Sequence, residues 1–201
     1  MKVLIATTNL GKVMIYKQVF DELGIEVCSL RDLNLNVNVE ENGATVVENA
    51  VIKAKAYHDL TGLPVLANDS GLVIDRFAPE DQPGLLVRRY NGKELTDEQL
   101  MDLYIQKLTE VGGESEGHYD VGLAIIDNEG TLHTRLFKPK RHFINKPSDV
   151  RIKGFPLSSL CYDKKLGKYL SEMTPKERND SEGSEFYGQI EFIKECFNTK
   201  L

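Results

Sequence analysis

KVLIATTNLGKVMIYKQVFDEL, residues 2–23, decides how the fold is read. Val3 to Ala6 is a short apolar run that breaks into Thr7-Thr8-Asn9-Leu10-Gly11. Beyond that polar turn, Val13, Tyr16, Phe20 and Leu23 recur at helical spacing. The order is strand, loop, helix.

The same alternation continues outward. Gly24 stops the helix, Ile25 to Leu30 reads as a second strand, and a polar stretch rich in Asn and Glu runs from Asp32 to Gly43. Thr45 and Glu48 have the spacing of a capping box, which opens a helix to about Leu60. Val65 to Ala67 reads as a short third strand that runs into Asn68-Asp69-Ser70-Gly71, and Leu72 to Ile74 is apolar again. Ala78 to Gly92 reads as a surface loop, Thr96 to Val111 as a helix, and Gly112 to Gly117 as a turn-rich break. His118 to Asp127 and Thr131 to Phe137 alternate around Asp127-Asn128-Glu129-Gly130, the pattern of an antiparallel hairpin. Four prolines punctuate the last third, which ends in a helix from roughly Phe186 to Phe197. Alternating strands and helices followed by a hairpin predict an α/β protein, a mixed sheet flanked by helices with a second, smaller lobe.

The bulk properties bound the function. At 201 residues the chain is long enough for one substantial core, in one domain or two closely joined lobes. A formal net charge of -6 argues against a nucleic-acid polymer as partner, which calls for a basic face. A small anionic ligand remains compatible with it, because a local pocket can be basic on an acidic protein. No run approaches the ~20 apolar residues of a membrane span, and the N-terminus lacks the features of a signal peptide. Cys28, Cys161 and Cys196 are scattered without metal-ligand spacing, which fits a reducing, cytoplasmic location.

Three segments carry chemistry. Thr7 to Lys12 sits between a strand and a helix start, where backbone N–H groups and the helix dipole favour an anion. The Thr7 and Thr8 hydroxyls, the Asn9 amide and the Lys12 ammonium add donors for phosphate oxygens; the other reading is a polar strand-to-helix turn. The spacing is not that of a Walker A loop. After Glu40 and Glu41, the helix carries Asn49 and Lys53 one turn apart, an amide and a cation side by side, or else a solvated face. Glu48 is explained as the cap partner of Thr45. Asn68-Asp69-Ser70-Gly71 follows an apolar strand, where ligands of open α/β sheets bind, and the Asp69 carboxylate can coordinate Mg²⁺. Its other reading is an ordinary Asx turn.

TTNLGK, EENGATVVENAVIKAKA and ANDSGL, in this order and followed by PGLLVRRYNG, resemble the inosine triphosphate pyrophosphatase family, which clears deaminated purine nucleotides. The resemblance implies a single pyrophosphatase-like domain over residues 1–201, two lobes around a central cleft with an elongated, twisted sheet, assembled as a homodimer. It implies Mg²⁺-dependent hydrolysis of a nucleoside triphosphate, such as ITP or XTP, to monophosphate and pyrophosphate. Thr7, Asn9 and Lys12 would then hold phosphates, Glu40 or Glu41 and Asp69 would serve the metal, and Lys53 would neutralise the triphosphate. Asp69 would also be the general base, with Ser70 and Gly71 lining the same pocket.

The chain departs from the family at three places. Asn68-Asp69 stands where the family has paired aspartates, so one carboxylate is an amide. The base-recognition segment corresponds to Gly154-Phe155-Pro156-Leu157-Ser158-Ser159, which keeps Gly154 and Phe155 and loses the following aromatic and acid. Arg178 to Ser184 corresponds loosely to a later element and lacks its His-Arg pair. Selection among bases therefore does not carry over, and a catalytically impaired nucleotide-binding or regulatory homologue is the alternative.

Overall fold

A computed structural model describes residues 1–90, 92–181 and 188–197. In chain order the elements are β1 Lys2–Ile5, α1 Leu10–Glu22, β2 Glu26–Ser29, α2 Val46–Thr61, β3 Val65–Ile74, β4 Arg89–Tyr90, β5 Lys93–Glu94, α3 Asp97–Glu110, β6 Glu114–Ile126, β7 Leu132–Phe137, β8 Lys140–Ile144, β9 Tyr162–Asp163, β10 Lys168–Tyr169, α4 Pro175–Asp180 and α5 Gln189–Phe197. The main sheet is mixed. Its order is β2-β1-β3-β6-β7, and β8 also pairs with β6. β1 is parallel to β2 and β3, whereas β7 and β8 are antiparallel to β6. The α/β class with helices flanking a mixed sheet is thus the one expected from the alternation.

The chain divides into two compact units. Met1–Ser70, Val121–Phe137 and the described residues from Gly188 on form one; Gly71–Asp120 and the described residues from Lys138 to Ser181 form the other.

The first unit holds the parallel strands. Leu4, Ala6, Val65 and Ala67 share one face and pack with Ala50, Ala54 and Tyr57 of α2. Side chains alternate along a strand, so the same registers turn Val3, Ile5 and Leu66 to the opposite face. The start of α2 lies hard against β6: a Cβ on Gly122 would stand 2.5 Å from the Val46 carbonyl oxygen. Only glycine lets the helix approach this closely. α2 ends at Gly62, in the left-handed conformation at φ 67°.

The second unit is built around α3. Leu100, Met101, Tyr104 and Leu108 bury their side chains against Leu72, Ile74, Phe143, Leu157 and Leu160. Thr96 and Gln99 form a full capping box at the start of α3. None of the helices in the described residues is long and apolar enough to cross a membrane.

Several boundaries differ from expectation, each for a physical reason. Asn68-Asp69-Ser70-Gly71 is not a turn: β3 runs unbroken from Val65 to Ile74, and its place in the sheet overrides the turn preference of those residues. Gly112 to Gly117 is not all break either, because β6 begins at Glu114. Gly117 sits in that strand where a Cβ would stand 2.4 Å from the Val73 carbonyl oxygen. Strand β8 falls in the proline-punctuated last third, where the sequence marks no strand. The terminal helix begins at Gln189, and Phe186 lies outside the described residues, as do Glu182 to Ser184 of the loose later match.

Candidate active site

The site is built within the first unit from α1, α2, β3 and the segment before α2. Asn9 caps α1 with extended backbone, and its Oδ1 accepts from the N–H groups of Gly11 at 2.9 Å and Lys12 at 3.3 Å. Thr7 Oγ1 accepts from the Asn9 N–H at 3.2 Å. Two of the backbone donors expected to face an anion are therefore committed to Asn9, and Asn9 itself shapes the turn. Thr8 is exposed.

Strand alternation then sorts the next three residues. Asp69 shares the register of Val65 and Ala67 and turns to α2, where Asn49 Nδ2 donates to its Oδ2 at 3.0 Å. Ser70 turns the other way, where the Lys12 ammonium donates to its Oγ at 3.2 Å. Asn68 lies on that same face, 3 % exposed, and its buried Nδ2 meets no acceptor among the described residues. The acid and the amide of this pair thus serve opposite faces of the sheet. Gly71 follows as a buried residue of β3.

Asn49 is the hub. It is 5 % exposed, and its Oδ1 accepts from the Gly43 N–H at 2.8 Å while its Nδ2 holds Asp69. A Cβ at Gly43 would stand 2.8 Å from that Oδ1 and 2.7 Å from Glu48 Cβ, so the acidic segment reaches α2 only through a glycine. One turn on, the Lys53 ammonium donates to the Asn68 carbonyl at 3.0 Å and pairs with Glu41 at 2.8 Å. Tyr57 completes this wall: its hydroxyl donates to the Val37 carbonyl, and burial together with the Glu41 carboxylate pushes its pKa up. Both glutamates are exposed, and Glu41 is the one whose carboxylate reaches Lys53. The cap at the start of α2 differs in detail from the expected box. Thr45 accepts from the Glu48 N–H, while Glu48 accepts from Ala44, one residue ahead of the cap.

Asp69, Glu41, Asn49, Lys53, Lys12 and Ser70 are therefore joined by contacts of side chain and backbone. Gly43 and Gly122 position them and were not singled out in the sequence, where nothing marks a glycine that is needed for clearance. No group of three or more His, Cys, Asp or Glu side chains among the described residues could hold a metal ion by itself. Glu41 on Lys53 and Asp69 on Asn49 are carboxylates of the kind that suit an ion taking its other ligands from phosphate oxygens and water.

Phe155 belongs to the second unit. It is half-buried and precedes a short 3-10 turn, Pro156–Ser159. Arg88 pairs with Asp97, and Asp97 accepts from the Gly154 N–H at 3.1 Å, which ties down the residue before Phe155. Arg178 donates to the carbonyls of Leu170 at 3.2 Å and Met173 at 3.3 Å, and burial holds its pKa below the usual arginine value.

Known proteins share both the sequence and the fold. Residues 3–182 match the Ham1 family. A dITP/XTP pyrophosphatase of Leptospira interrogans is 37% identical over 176 residues, covering 87% of each chain. One from Erwinia tasmaniensis is 30% identical over 178 residues, covering 88% of this chain and 85% of its own. Among solved structures, a HAM1 protein from Coxiella burnetii superposes with a TM-score of 0.73 at 25% identity, covering 97% of both chains. The resemblance carried by TTNLGK, EENGATVVENAVIKAKA and ANDSGL is thereby borne out, at the modest identity of a divergent member. A match over residues 3–182, with relatives aligned along most of their length, means that this chain belongs to the Ham1 family.

Proposed function

We propose that this protein is a nucleoside triphosphate pyrophosphatase, hydrolysing a triphosphate of the dITP or XTP type to monophosphate and pyrophosphate. The observation that carries the reading is the convergence on β3: one strand hands Asp69 to Asn49 of α2 and Ser70 to Lys12 of α1. Adjacent residues of one strand thus tie a carboxylate to α2 and a hydroxyl to the Lys12 ammonium at the start of α1.

In this reading Thr7, Thr8 and Lys12 hold phosphate oxygens, with Ser70 and Gly71 alongside, and Asn9 keeps the turn in shape. Lys53, 14 % exposed at its side chain, is shielded enough to offset triphosphate charge while it holds Glu41. Asp69 Oδ2 is fixed by Asn49, which leaves Oδ1 to take the proton from water as that water attacks the α-phosphorus. The bond from the α-phosphorus to the bridging oxygen breaks, and pyrophosphate leaves. Asp69 and Glu41, with Glu40 adjacent, would hold a Mg²⁺ ion, which supplies charge neutralisation at the phosphates and a more acidic water. Phe155 is the aromatic left for contact with the base. The chain would act as one homodimeric enzyme domain in the cytoplasm, a location that suits three free, buried cysteines.

Incubation with Mg²⁺ and a panel of dITP, ITP, XTP, dUTP and the common triphosphates tests the proposal. Pyrophosphate should be released from at least one; silence across the panel overturns it. Asn68 supports a second reading, a nucleotide-binding homologue of low activity, because its amide nitrogen is buried with no acceptor among the described residues, where the resemblance implies an acid. Thermal stabilisation by a triphosphate without turnover would select that reading.

A further inference from the structure

Asp97 opens α3, where the helix dipole alone would favour an acidic residue. Both of its oxygens are nonetheless spent on other elements of the second unit. Oδ1 pairs with the Arg88 guanidinium, and Oδ2 accepts from the Gly154 N–H at 3.1 Å. Although partial burial opposes it, these bonds, with Lys153 nearby, hold the Asp97 carboxyl below the usual aspartate range. Arg88 is itself set by its backbone, whose carbonyl accepts from the Leu95 N–H at 2.8 Å just beyond the β4–β5 pairing. The two side chains are 41 % and 37 % exposed, and an ion pair so open to water adds little to stability.

The N–H that Asp97 takes lies in the middle of a turn. The Phe155 N–H donates to the Ile152 carbonyl at 2.9 Å, Gly154 has φ 84°, and Lys153 stays out of the left-handed region. Residues 152–155 therefore form a type II turn, with glycine where that turn needs it. Type I and type II turns differ by a flip of the central peptide, here Lys153–Gly154, so that its N–H points the opposite way in the other type. A carboxylate holding that N–H selects one of the two. On the far side of Phe155, Ser158 donates to the Phe155 carbonyl through its N–H at 3.1 Å and its Oγ at 2.6 Å. The backbone of Phe155 is thus fixed from both directions, while the residue itself is only half-buried.

We infer that Arg88 and Asp97 are a positioning pair for base recognition, locking the turn that presents Phe155 and so setting how tightly a base is held against its ring. This role rests on the reading that Phe155 meets the base, and it assigns two residues outside the phosphate and metal set. Losing Asp97 frees the central peptide to flip. The part of the affinity due to the base should then fall, and the part due to the triphosphate should not.

Calorimetry on the full chain in Mg²⁺ tests this with two ligands: the α,β-methylene analogue of dITP, which resists cleavage at that bond, and inorganic triphosphate, which has no base. Asp97→Ala and Arg88→Met should each weaken binding of the analogue by about fivefold or more, the lower end of what a base stacked on an aromatic ring contributes. Inorganic triphosphate should stay within about twofold. Asp97→Asn keeps an acceptor for the Gly154 N–H and should bind the analogue more tightly than Asp97→Ala does. If Asp97→Ala fails to fold, Arg88→Met, which changes only a side chain open to water, carries the test. An unchanged ratio of the two affinities, whether both hold or both fall, leaves the pair a structural one and overturns the role. A wild type that binds the analogue no better than inorganic triphosphate overturns it as well, because no base contact is then present to position. Pyrophosphate release from the triphosphate panel judges the proposed activity separately.

Discussion

Replacing Asn49 by Ala removes the hub of the candidate site without touching a charge. Two bonds go: a neutral one from the Gly43 N–H at 2.8 Å and a charge-assisted one to Asp69 at 3.0 Å. Bonds of the first kind contribute about 1 kcal/mol and of the second about 1.5 to 3 kcal/mol, so the expected loss is about 2 to 4 kcal/mol. On a chain of this size that lowers Tm by roughly 5 to 15 °C. Urea unfolding of wild type and variant gives the difference directly. Asn49→Asp sharpens the test, since it keeps an acceptor for Gly43 but sets a carboxylate against Asp69. Like charges raise the pKa of the pair, so this variant should be less stable than wild type at pH 7 and recover stability as the pH falls through that raised value. A loss below about 0.5 kcal/mol for Asn49→Ala, the range of ordinary surface changes, would refute the hub.

Three further outcomes are expected. Gly122→Ala places a Cβ 2.5 Å from the Val46 carbonyl oxygen and should cost about 1 to 3 kcal/mol in urea unfolding, as overpacking does; a neutral result would mean that α2 does not rest there. Glu177 bonds Lys168 and caps α4, which depresses its pKa from 4.5 to about 2. A depressed carboxyl contributes stability above its unfolded pKa and loses it as the pH falls through the folded one. Glu177→Gln should therefore be less stable than wild type at pH 7, with the gap closing between pH 4.5 and about 2; a gap independent of pH would exclude that ionisation as its source. Lys12→Ala should raise KM for the triphosphate with a smaller effect on kcat, and an unchanged KM would remove Lys12 from the phosphate grip.

Much of this was legible in residue order, and the exceptions have causes. The first strand, loop and helix were readable because Tyr16 and Phe20, with helical spacing, are buried by α1 together with Val19. Asn49 and Lys53 were readable as partners on one helix face. The role of Asn9 was only half visible: an Asn at that position caps as readily as it binds phosphate, and in the fold its oxygen caps. Asn68 to Gly71 has turn composition, yet it lies in a strand flanked on both sides within the sheet, and only the fold supplies those neighbours. Glu40 and Glu41 are adjacent and chemically equal in sequence; a contact with Lys53 separates them.

The most direct measurement is the product balance from the preferred triphosphate in Mg²⁺, for wild type and for Asp69→Asn. Wild type should yield monophosphate and pyrophosphate in equal amounts with no diphosphate, because attack falls on the α-phosphorus. Asp69→Asn should keep the fold and lose about 10²-fold or more of kcat, the contribution expected of a general base. Diphosphate and orthophosphate as products, or an Asp69→Asn enzyme as active as wild type, would contradict the assignment.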